Sequence, residues 1–171
     1  MPRRATRQSV DLAGYPDLVV IYLGMRVHNL RGLRTLACSG PRIQRSVAAN
    51  PDGLLRHENL VYSLVPPHLG MRQYWRDFDA LERWARSDPH RSWWSELLAD
   101  PGGTGFWHET YSMRGGIEAI YLDLTDHPLG LGTFAPREPA RKSMFSARHR
   151  LRAEGHEHGE PAVDENEFYA G

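Results

Sequence analysis

The chain has a single cysteine, Cys38, in 171 residues, which excludes an intramolecular disulfide framework and any thiolate metal cluster. It also lacks net charge. Its 21 Lys and Arg residues balance 21 Asp and Glu residues, so no basic surface for nucleic acid or anionic membrane is implied. Long apolar runs are missing too. The longest, residues 18–23, is far too short to span a bilayer, and Met1-Pro2-Arg3-Arg4 is not followed by the apolar stretch of a signal peptide. A cytoplasmic protein with no membrane or nucleic-acid partner is the expectation. What is present is ordinary for a globular chain: 40% hydrophobic and 25% charged residues, enough for one cored domain with some tail left over.

The pattern along the chain predicts five strands. Residues 17–28 begin with the β-branched and aromatic run Leu18-Val19-Val20-Ile21-Tyr22-Leu23 and end alternating. Leucines and arginines at helical spacing over residues 29–49 predict a helix that Gly40-Pro41 breaks or kinks. Further strands are expected over residues 54–65 and 69–76. Asp77 reads as the N-cap of a helix carrying Phe78, Leu81, Trp84 and Ala85 on one stripe, and Pro89 as the start of a second, stopped by Asp100-Pro101-Gly102-Gly103. Residues 104–113 and 117–124 read as a strand pair joined by a turn at Arg114-Gly115-Gly116. Without the last strand this is the βαββαβ plan of ferredoxin-like α+β domains. The expected organisation is an extension over residues 1–16, the domain over 17–135, and an irregular tail over 136–171 with an anchor at Met144-Phe145.

Strand parity sorts the side chains, because alternate residues point to opposite sheet faces. On the first strand Val19, Ile21, Leu23, Met25 and Val27 are uniformly apolar and form the expected helix-facing core. Tyr22, Arg26 and His28 share the other face. On the third strand Leu69, Met71 and Trp75, interrupted by Gln73, oppose His68, Arg72, Tyr74 and Arg76. Arginines beside tyrosines suit an anionic or oxygen-rich ligand. A dimer-interface ion-pair network or a solvated face would read the same way. The fourth strand offers two exclusive sets, Phe106, His108 and Thr110 or Trp107, Glu109 and Tyr111. The expectation places His108 with Arg26, because its ordinary pKa lies near neutrality, and leaves Glu109 to find a partner in the helix-side core. The competing reading of His108 is a satisfied core histidine.

Other signals are weaker. His156 and His158 with Glu157 and Glu160 sit in a Gly-rich acidic segment that does not suggest a closed metal site. Gly102-Gly103-Thr104-Gly105 has no preceding strand and following helix, so it is not a phosphate loop. Trp84, Trp93 and Trp94 read as core rather than as a ligand cage.

Gly24-Met25-Arg26, Gln73-Tyr74-Trp75-Arg76, Gly105-Phe106-Trp107-His108-Glu109-Thr110-Tyr111 and Glu118-Ala119-Ile120-Tyr121, in that order, resemble the DUF4188 family over about residues 17–135. That family is grouped with the fumagillin-pathway antibiotic-biosynthesis-type monooxygenase in the dimeric α+β barrel superfamily. The resemblance implies a homodimeric monooxygenase of secondary metabolism, acting on a small hydrophobic or aromatic, polyketide- or terpenoid-like substrate without metal or flavin. His108, Arg26 and Arg72 would be catalytic, with Tyr22, His28, Tyr74, Phe106 and Thr110 binding substrate and Glu109 the alternative acid or base. The superfamily also holds haem proteins such as aldoxime dehydratases. A haem enzyme with His108, or else His28 or His68, as axial ligand is therefore the alternative. A non-catalytic dimeric binding module is the third reading. The chain departs from the commoner family pattern at His28 and at Ser39-Gly40-Pro41.

Overall fold

A computed structural model of the chain describes residues 14–114, 117–122, 124, 126, 146–153 and 159. The elements run β1 (Val19–Val27), α1 (Leu30–Ala48), β2 (Leu54–Leu64), β3 (Pro67–Trp75), α2 (Phe78–Arg86), α3 (His90–Ala99), β4 (Thr104–Ser112), β5 (Ile117–Leu122) and α4 (Ala147–Ala153). The strands form one antiparallel sheet in the order β2-β3-β1-β4-β5. This is the ferredoxin-like arrangement with β5 added outside β4, the expected α+β plan. The expected Arg114-Gly115-Gly116 turn, the Met144-Phe145 anchor, the His156–Glu160 cluster and most of the N-terminal extension lie outside the described residues.

Apolar residues at alternate positions of the central strand build the core. Val19 and Ile21 pack against Trp75 of β3 and against Ala80 and Leu81 of α2, with Phe78 and Trp84 closing around them. Gln73 lies in this core, fully buried, because its amide is paired on both sides. Its Oε1 accepts from Trp75 Nε1 at 3.2 Å and its Nε2 meets His57 Nδ1 at 3.2 Å. Asp77 caps α2 as read from the sequence, accepting the Ala80 N–H at 2.7 Å.

Two expectations need correction. The helix over residues 29–49 is continuous, with Pro41 inside it. Pro41 removes one backbone donor, but the preceding Gly40 has no Cβ to clash with the proline ring, so the helical path survives. Within the segment read as an irregular tail, residues Ala147–Ala153 form α4, whose Leu151 is buried. Two arginines of this helix, Arg148 and Arg150, are buried in ion pairs. Arg148 pairs with Glu82 at 3.0 Å and with Asp79, and Arg150 donates to Glu118 at 2.6 Å.

Candidate functional site

Register decides which side chains meet. Directly opposed residues of antiparallel strands share a sheet face. β1 pairs with β4 so that Tyr22 faces Glu109 and Leu23 faces His108. β1 pairs with β3 so that Tyr22 faces Arg72 and Arg26 faces His68. Trp107, Glu109 and Tyr111 therefore share the face of Tyr22, Arg26, Arg72 and Tyr74. Phe106, His108 and Thr110 share the opposite face, with Leu23 and Met71. The two sets are exclusive, as parity requires, but the assignment of His108 to the Arg26 face is overturned. So is the expectation of a helix-side partner for Glu109.

On the Arg26 face the polar groups form a paired network. Arg72 donates to Glu58 at 2.6 Å and to the Tyr22 hydroxyl at 2.7 Å, and its guanidinium lies 5.3 Å from the centre of the Tyr74 ring. Glu109, buried, accepts from Tyr111 at 2.5 Å and from Tyr121 at 3.0 Å. Burial first, and Glu109 second, pushes the Tyr111 phenol upward. Trp107 Nε1 donates to His68 Nε2 at 2.8 Å, beneath the Tyr62 ring. Burial, with Arg26 next, lowers His68 to about 4, so it stays neutral. His28 stands exposed at the end of β1.

His108 is half-buried on the helix side. Its Nε2 lies 3.3 Å from Thr110 Oγ1 and its Nδ1 3.9 Å from the Glu118 carboxylate. Burial dominates and lowers its pKa, against the opposing pull of Glu118. Of the histidines read as haem ligands, none is placed to serve the cavity described next. His108 is not among the residues that line it, His68 already accepts from Trp107, and His28 is on the surface. Among the described residues no cluster of His, Cys, Asp and Glu is arranged to hold a metal ion.

A cavity of about 440 Å³ separates the sheet from α1 and α3. Its floor is Leu23, Met25, Met71 and Phe106, and its far wall is Trp84, Trp93, Trp94 and Leu97. The cause lies in α1. Its lining side, Arg31, Arg34, Thr35, Cys38, Ser39, Arg42 and Ile43, is polar except at Cys38 and Ile43, with Arg31, Arg34 and Cys38 exposed, while the buried positions of the helix are Gly32 and Ser46. Such a face gains little by sealing onto methionine and leucine, so a gap remains. Polar ties span it instead: Arg31 to Asp100 at 2.5 Å, Thr35 to the Gly102 carbonyl at 2.8 Å, and Arg42 to Glu96 at 2.8 Å. The Gly102-Gly103 turn that receives one of them requires glycine, since Gly103 has φ 81° and any Cβ there would overlap the Asn29 side chain.

His90, at the start of α3, lines this cavity and was not singled out by sequence. Its Nδ1 lies 2.9 Å from the Ala85 carbonyl, which can only accept, so Nδ1 carries the proton and Nε2 the lone pair. Trp84 stacks against it at 4.6 Å between ring centres, and Trp93 stands 6.1 Å away. Its pKa is lowered to about 4, chiefly by burial, against the raising pull of the Ala85 carbonyl and with smaller lowering contributions from His108 and Arg86. A neutral imidazole between indoles at an apolar cavity is a lone-pair site of fixed tautomer. Of the residues expected to bind substrate, Phe106 is in the cavity, edge-on to Trp94 at 5.3 Å. Tyr22 and Tyr74 are on the opposite face, and Thr110 is in the core. The tryptophans read as core line the site.

The family model for monooxygenase af470-like proteins matches residues 18–131. No curated protein matches the chain. Among solved structures, an aldoxime dehydratase is 23% identical with a TM-score of 0.46, over 66% of this chain and 36% of its own. SnoaB from Streptomyces nogalater, a cofactor-independent oxygenase, is 21% identical with a TM-score of 0.43, over 56% of this chain and 91% of its own. A protein of unknown function from Bacteroides thetaiotaomicron, a possible oxidoreductase, is 8% identical with a TM-score of 0.46, over 57% and 98%. The chain thus spans about a third of the length of the aldoxime dehydratase it matches.

Proposed function

The chain belongs to the monooxygenase af470-like family, and we propose that it oxidises a small, largely apolar or aromatic molecule of polyketide or terpenoid character. The substrate sits in the cavity between sheet and helices. The carrying observation is His90, which lines an indole-walled space with Nδ1 tied to the Ala85 carbonyl, so that Nε2 keeps the lone pair. In this reading the candidate base moves from His108 to His90. Nε2 takes a proton from an acidic C–H or phenolic O–H of the substrate. The electron-rich anion then reduces dioxygen itself, so no metal or flavin is assigned. For an activated methylene the balance is CH2 plus O2 giving C=O plus H2O. The anion forming beside His90 favours the imidazolium and raises its pKa within the complex.

The test is oxygen uptake with an anthrone-type substrate. His90→Ala should lower kcat by about 100-fold, the usual scale for a positioned base. The wild-type kcat/KM should stay level from pH 8 to about pH 5, because the free imidazole titrates near 4. Undiminished turnover in His90→Ala removes it from the mechanism.

The second part of the proposal is a homodimer formed through the Tyr22–Glu109 sheet face. All four described helices pack on the other face, through the contacts of Ala80 and Leu81, the cavity and the Arg150–Glu118 pair. The β2–β3 hairpin leaves Val61, Leu64 and Val65 largely exposed. An apolar hairpin and a half-buried tyrosine face support burial against a second copy. Sedimentation should give twice the mass of the chain, and a monomer at micromolar concentration defeats the dimer.

A further inference from the structure

We infer that the cavity takes amphipathic carboxylic acids, with the apolar body on the sheet side and the carboxylate on Arg34 at the α1 rim. This deepens the oxygenase reading of the same cavity by assigning its substrates a charge.

The cavity has two unlike sides. The sheet contributes Leu23, Met25, Met71 and Phe106, which offer no hydrogen bonds to a ligand. The opposing stripe of α1 contributes guanidiniums at positions 31, 34 and 42. Two of these are already neutralised. Arg31 is held by Asp100 at 2.5 Å and Arg42 by Glu96 at 2.8 Å, and Arg42 also lies 5.5 Å from the centre of the Trp93 ring. Those pairs hold the two carboxyls below their ordinary range. For Asp100 the Gly102 N–H is the leading cause, and for Glu96 it is Arg42.

Arg34 is different. It lines the same cavity, it is exposed, and it has neither an ion-pair nor a hydrogen-bond partner among the described residues. Both carboxylates of the cavity lining are taken by its neighbours. The lining therefore carries one uncompensated positive charge, on the fork of planar donors that matches a carboxylate. A neutral ligand fills the apolar part and leaves Arg34 in water. An amine is repelled. An acid with a hydrocarbon or aromatic body satisfies both sides at once.

The experiment is calorimetric titration of the full chain with 2-naphthoate, methyl 2-naphthoate and 2-naphthylmethylammonium at low ionic strength. The acid should bind about five-fold more tightly than the ester, the scale of one exposed charge pair, and the amine more weakly than either. Raising the salt should shrink that preference. Arg34→Gln should bring the acid to the affinity of the ester while leaving the ester unchanged, and Arg34→Lys should keep part of the preference. Equal binding of acid and ester, an undiminished preference in Arg34→Gln, or no binding of either probe overturns the inference. A clear acid preference without oxygen uptake on any substrate defeats the oxygenase reading and leaves this one standing. Turnover of neutral substrates without an acid preference does the reverse.

Discussion

At the scale of the residue, glycine and histidine carry the most consequence. Gly70 pairs with Gly24 where β3 crosses β1, and a Cβ on Gly70 would overlap the Leu23 carbonyl oxygen and the Tyr62 ring. The backbone oxygen cannot yield without disturbing the β1–β3 ladder. Gly70→Ala should therefore cost about 1–3 kcal/mol, the usual scale of overpacking. A urea titration reads this as a lowered midpoint with an unchanged slope, and an unmoved midpoint would mean that the ladder shifts freely. The histidines differ by what their second nitrogen meets. His108 is shared with Thr110 near Glu118, whereas His90 has one nitrogen committed to Ala85 and lines the cavity.

At the scale of the element, α4 is held by buried ion pairs together with the buried Leu151. Arg150 and Glu118 are both buried, and one Glu118 oxygen has no hydrogen-bond partner among the described residues. Removing a single member of such a pair leaves a buried charge and costs about 3–5 kcal/mol, whereas replacing both with apolar residues is often neutral. Arg150→Leu should therefore lower Tm sharply, and adding Glu118→Leu should recover most of the loss. A double variant no better than the single one would show that Arg150 acts elsewhere. Helix α1 makes the complementary point. The side of it that lines the cavity is mostly polar, so it borders an open space that a leucine-lined helix would fill.

At the scale of the molecule, neutral histidines make stability depend on pH. His68 and His90 titrate near 4 in the folded chain, below their ordinary 6.5, chiefly because burial disfavours the charged ring. Between those values the unfolded chain binds more protons, so stability rises with pH there. The contribution is complete above about 6.5, is lost progressively as pH falls toward 4, and changes no further below. Thermal melts at constant ionic strength should show Tm falling across that window. His68→Gln with His90→Gln should flatten the profile, and an equally steep profile in that double variant would assign the dependence to other groups.

Local pattern was enough to determine the five strands, the Asp77 cap, the Gly102-Gly103 stop and the apolar parity of β1, because each depends on residues adjacent in the chain. Parity also established that His108 and Glu109 lie on opposite faces. Which of them joins Arg26 depended on the β1–β4 register, a pairing across some 80 residues that no local signal carries. The cavity was equally illegible. It arises because a polar stripe of α1 stands over an apolar sheet face and beside the tryptophans of α3, so only tertiary packing could show that His90 and Arg34 share one space. A polar arginine stripe read alone is a solvated face. Set opposite Leu23, Met25 and Phe106, it becomes the rim of a binding site.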